Sequence, residues 1–150
     1  MSASLSELLP NESETFGKRH PRENERTAAT GTERTATIRI QNLRLRTFIG
    51  FNPEEREKQQ DVVINIQIEY SINPLALADS VDDALNYKTI TKRIIAHVEQ
   101  GRFLLLEKLV GDVLEICSAP NDVTRAEVTI DKPHALRFAD SVSLTLVAEK

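Results

Sequence analysis

Three stretches of this 150-residue chain carry side chains whose types and spacing could do chemistry. In TIDKPHALRFADSV, Lys132, His134 and Arg137 crowd a short connection between two alternating apolar runs. In a chain of net charge −4, such a cluster could move a proton or hold a small anion. In RFLLLEKL, Glu107 interrupts an apolar helical series close to its start. It reads either as an exposed glutamate using the positive helix end or as a carboxylate pairing with the N–H groups of a heterocycle. In LNYKT, Tyr87 opens another helical pattern. Such a tyrosine is either a half-buried aromatic with a satisfied hydroxyl or a member of a proton relay. Lys132 taken alone reads better as a solvated lysine at a strand end.

Composition removes several other chemistries. Only five glycines occur and none cluster, so there is no Gly-rich phosphate loop. His20, His97 and His134 are far apart and lack metal-ligand spacing. A G-x-S-x-G nucleophile elbow is absent. The acidic balance disfavours a nucleic-acid surface, which depends on clustered Lys and Arg. One cysteine, Cys117, cannot form an intrachain disulfide and follows an apolar helical pattern, so it reads as a small core residue. No apolar run reaches the roughly 20 residues that span a bilayer, and no secretory signal pattern opens the chain. The cytoplasm is the expected compartment. What survives is a metal-free acid–base enzyme, or a binding module.

The elements that must position these residues follow from periodicity. Residues 1–35 are rich in Ser, Glu, Thr and Arg and read as a disordered tail. One domain is expected over 36–150. TIRIQNLRLRTFIG alternates, with a parity slip at Gln41–Asn42 that predicts a bulge. DVVINIQIEYSI alternates through Val62, Ile64, Ile66 and Ile68. A polar loop of about ten residues separates the two strands. Ile90, Ile94, Ile95 and Val98 mark a first helix, with Asp79 or Ser80 able to cap the segment before it and Gly101 ending it. Leu105, Leu106, Leu109, Val113 and Ile116 mark a second. RAEVTID and SVSLTLVAE alternate again. The expected order is β-β-α-α-β-β, an α+β fold with four antiparallel strands and two helices on one face. Two unprotected sheet edges invite pairing across subunits into a barrel.

In that order, LRLRTFIG, ALNYKTITK, LLEKL and DKPHALRFADSVS resemble the dihydroneopterin aldolases, which share the tunnelling fold. The resemblance runs from about Ile38 to Val147. It implies that Glu107, in the L-L-E-x-L segment beside Leu106, anchors a pterin ring. Tyr87 matches a tyrosine that reaches the site from a neighbouring subunit. Glu55, five residues after Gly50, and Lys132 match the remaining catalytic pair. The family's retro-aldol reaction cleaves the C1'–C2' bond of a dihydropterin side chain, with the substrate's own imine as electron sink. No cofactor is therefore implied.

Within the family, HALRFADSVS points to members that invert C2' of 7,8-dihydroneopterin triphosphate, giving 7,8-dihydromonapterin triphosphate by cleavage and re-addition. His134 and Arg137 are then candidates to hold the triphosphate. The alternative is an aldolase releasing 6-hydroxymethyl-7,8-dihydropterin and glycolaldehyde for folate synthesis. A third reading is a pterin-binding member without turnover. The resemblance also implies a homo-octamer of two stacked tetrameric rings.

Overall fold

The computed structural model describes residues 34–150. All but the last two residues of the expected tail therefore lie outside the described residues. Strand β1 (Thr35–Ile49) pairs antiparallel with β2 (Gln60–Ser71), and the register shifts between Ile40 and Leu43. This is the predicted bulge. Asn42 sits there in the left-handed region, φ 57. Its backbone N–H donates to the side-chain oxygen of Asn65 at 2.9 Å. The slip moves the inward series from even positions (Ile38, Ile40) to odd ones (Leu43, Leu45, Thr47, Ile49).

After β2 comes a short helix, α1 (Pro74–Leu77), and a 3-10 turn at Val81–Asp83. The first long helix, α2 (Tyr87–Glu99), takes Asn86 as its cap, the side chain accepting from the Thr89 N–H at 3.0 Å. Ser80 instead heads the 3-10 turn, where its hydroxyl donates to Asp83 at 2.6 Å. Helix α3 (Leu106–Ser118) follows, then β4 (Val123–Pro133) and β5 (Ser141–Glu149). Helix α3 packs on β4 and β5, and α2 on β1.

The expected four-stranded sheet has five strands. The fifth, β3 (Arg102–Phe103), lies between the helices and pairs parallel with Phe48 and Ile49, giving the order β3-β1-β2-β4-β5. Two residues are too few to show alternation, so periodicity misses it. Its effect is local but large: it ties the connection between the helices to the end of β1.

One face of the sheet is apolar and meets the helices. Val62, Ile64, Ile68, Val128 and Ile130 from the strands interlock with Ile94, Val98, Leu109 and Val113 from the helices, all fully buried. Each such side chain contributes about 1.5–3 kcal/mol on burial. Cys117 is part of this core, and burial pushes its thiol up to about 12. That fits a packing role and not a reactive one. Thr47 is the one buried polar residue among the described residues with this degree of burial. Its hydroxyl donates to the Val98 carbonyl at 2.6 Å, at the C-terminal end of α2. The opposite sheet face is polar, with Arg125 bridging Glu69, Glu127 and Glu149. Among the described residues no helix is long and apolar enough to cross a membrane.

Candidate active site

The site forms where the ends of β1, β3 and β4 meet the loop 50–59. Lys132 lies near the end of β4, on the even-numbered, helix-facing side that also carries Val128 and Ile130. Its Nζ donates to Oε2 of Glu55 at 2.6 Å, with both side chains largely covered. The two residues are 77 positions apart. The hydrogen bond from Lys132 holds the Glu55 carboxyl below its ordinary range, outweighing burial, which pushes the other way. The Asn52 N–H and the Gln60 amide add to the lowering.

Two further residues set this carboxylate in place. Gln60, the first residue of β2, donates through Nε2 to the Ile49 carbonyl at 2.7 Å and to Glu55 at 3.5 Å. Gly50 has φ 130, a conformation strained for any residue with a side chain, and a Cβ there would overlap the Glu55 carboxylate. Its N–H donates to the Phe103 carbonyl at 2.9 Å. Gly50→Ala is expected to cost about 1–3 kcal/mol of stability and to displace Glu55 from Lys132. Denaturant melts and turnover check this; wild-type values in both would show that the close approach is dispensable.

The Phe103 contact draws the pterin-anchor candidates to the same end. Glu107 stands four residues beyond Phe103, in the first turn of α3 and exposed. Leu105 caps that helix without a side-chain hydrogen bond, and its carbonyl accepts from the Lys108 N–H at 3.1 Å. Leu106 is half-buried against the core. Across α3, Asp112 bonds His97 of α2 at 2.8 Å and Lys108 at 3.0 Å, fixing the two helices around this connection.

His134 and Arg137 occupy the exposed loop that leaves β4 immediately after Lys132. Its base is closed by the His134 N–H donating to the Asp140 carbonyl at 3.1 Å and by the Ser141 hydroxyl donating to Asp131 at 2.8 Å. The Arg137 guanidinium lies 5.5 Å from the centre of the Phe138 ring.

Tyr87 is elsewhere. It is half-exposed at the start of α2 and lines a cavity of about 140 Å³ with Tyr70, Ser71, Asn73 and Asp122. Asp131 is paired with Val63, whereas Tyr87 neighbours the Ser71 end of β2. Eight strand residues at roughly 3.3 Å each put the two about 26 Å apart. Within one chain, Lys132 and Tyr87 do not share a site.

Three comparisons set this geometry among known proteins. A family model described as FolB, dihydroneopterin aldolase, matches residues 38–147. The chain belongs to the dihydroneopterin aldolase family. It is 59% identical over 111 residues to the dihydroneopterin triphosphate 2'-epimerase of Escherichia coli K12, covering 74% of this chain and 92% of that protein. To the Pseudomonas aeruginosa protein of the same name it is 50% identical over 115 residues, covering 77% and 94%. The solved structure of E. coli dihydroneopterin aldolase in complex with neopterin matches with a TM-score of 0.70 at 27% identity, covering 75% of this chain and 98% of that one. The fold is that of the family, an α+β tunnelling fold with one additional short strand relative to the expected four.

Gln60 and Thr47 escape a reading from sequence motifs. A signal existed for both: each falls on the inward parity of its strand, where a polar residue needs a partner.

Proposed function

We propose that this protein inverts C2' of 7,8-dihydroneopterin triphosphate, yielding 7,8-dihydromonapterin triphosphate. The observation that carries this reading is the contrast in likeness: 59% identity to a named 2'-epimerase against 27% to the E. coli aldolase structure. Simple release of 6-hydroxymethyl-7,8-dihydropterin is accordingly the less favoured outcome. A binding role without turnover is disfavoured by the covered Lys132–Glu55 pair, which a passive pterin site does not need.

The chemistry divides among the residues as follows. Glu107 accepts from the 2-amino group and ring N–H of the pterin in a bidentate, charge-assisted contact, with Leu106 packing beneath it. Glu55 stays ionised beside Lys132 and stabilises the charged form of the lysine. Lys132, as the neutral amine, takes the 2'-hydroxyl proton, and the ammonium so formed donates to Glu55 across 2.6 Å. The C1'–C2' bond breaks, its electron pair passes into the pterin as an enamine, and C2' becomes an aldehyde carbon. The aldehyde turns its other face, C1' adds back, and the new alkoxide regains its proton from Lys132. Tyr87 completes the relay from a second copy of the chain, because its own lies about 26 Å from Lys132 by strand register. Assembly as two stacked tetrameric rings would supply that copy. His134 and Arg137 meet the triphosphate.

Substrate deuterated at C2' tests this route. Cleavage and re-addition never breaks the C2'–H bond, so the monapterin product is expected to keep its deuterium in full. Washout into solvent would instead indicate direct deprotonation at C2' and defeat the retro-aldol reading.

A further inference from the structure

Among the described residues three non-glycine residues adopt positive φ: Asn42, Asp79 and His134. Asn and Asp tolerate the left-handed region because their short polar side chains bond locally, as Asn42 does with Asn65. Histidine enters this region more readily than bulkier residues, but His134, at φ 62, makes no side-chain bond there. Its side chain is exposed and has no hydrogen-bond partner among the described residues. The fold needs only the backbone turn, closed by the bond to the Asp140 carbonyl, and glycine would make that turn without strain. Strain that returns no packing and sits two residues from the Lys132–Glu55 pair points to function at that site.

The reaction defines what is missing there. After C1'–C2' cleavage the aldehyde fragment is no longer joined to the bound pterin, and its triphosphate is the part that charged side chains can hold. The fragment must stay bound while its carbonyl turns over. Lys132 and Glu55 neutralise each other, so the phosphate charge must be met by other groups. Arg46 is engaged by Asp61 at 2.6 Å. Arg102 lies 3.8 Å from the centre of the Phe48 ring and donates to the Arg56 carbonyl. The loop that follows Lys132 offers His134 and, three residues on, Arg137, neither paired with a carboxylate among the described residues. We infer that His134 is a specificity-determining residue that retains the triphosphate-bearing aldehyde between cleavage and re-addition, and so sets the partition between inversion and release.

The inference rests on the C2' inversion proposed above. It is tested with His134→Gly and His134→Asn, both of which accept the left-handed backbone. For each, the fraction of turnovers ending in free 6-hydroxymethyl-7,8-dihydropterin is measured against monapterin formed, with the triphosphate and with unphosphorylated dihydroneopterin. His134→Gly is expected to raise the melting temperature by about 2–4 °C. Both variants should raise the released fraction from the triphosphate roughly tenfold, with a much smaller change from the unphosphorylated substrate. Equal changes on both substrates, or an unchanged fraction in a wild type that does invert, would overturn the role of His134 alone. A wild type that forms no monapterin would overturn the inversion reading, and the inference with it.

Discussion

Lys132→Ala is expected to lower kcat by roughly 10²–10⁴-fold, the usual worth of a positioned acid–base group, while pterin affinity changes less than about threefold. The ammonium group sits 2.6 Å from Glu55 and is the only cation bonded to that carboxylate among the described residues. In the proposed route its removal takes away the amine that accepts the 2'-hydroxyl proton and returns it after re-addition. Lys132→Arg separates this role from mere charge. Arginine keeps the ion pair but cannot give up a proton in the working pH range, so that variant should be nearly as slow as alanine. Single-turnover rates with isothermal titration of a pterin analogue check both. Near wild-type turnover in Lys132→Arg would make the lysine an electrostatic partner and leave the base to be found elsewhere.

Glu107→Gln should act on the other half of the reaction. The carboxylate is exposed and bonded to no side chain among the described residues, so its replacement costs the fold little. What it loses is a charge-assisted contact to the pterin, worth about 1.5–3 kcal/mol. Affinity should therefore weaken roughly 10–100-fold, with kcat at saturation falling far less. Titration of neopterin into the variant reads this directly, and unchanged affinity would remove Glu107 as the anchor.

These two effects differ in how visible their residues are in the sequence. The long strands are plain because one face is buried and alternation is enforced; even the bulge at Gln41–Asn42 shows as a change of parity. Strand β3 is invisible because two residues carry no period. The start of α2 is ambiguous, since Ser80 and Asn86 are both good capping residues, and only tertiary packing selects Asn86.

For the site, local pattern gives candidates but not partners. Lys132 and Glu55 are 77 residues apart, and nothing in either segment alone announces the other. Their pairing depends on Gly50 opening space for the carboxylate and on Gln60 holding it, features of a folded sheet end. Family resemblance supplied Tyr87 as a site residue. Strand register separates it from Lys132 by about 26 Å within one chain, so the proposed relay would need Tyr87 from a second copy.

The most direct measurement is product identity from 7,8-dihydroneopterin triphosphate. The purified protein is incubated with it, and the mixture is dephosphorylated, oxidised and separated by chromatography. Monapterin rising beside neopterin to a fixed ratio, reached equally from monapterin triphosphate as substrate, is the predicted result. Accumulation of 6-hydroxymethylpterin as the dominant product, with no monapterin at any time, would contradict it.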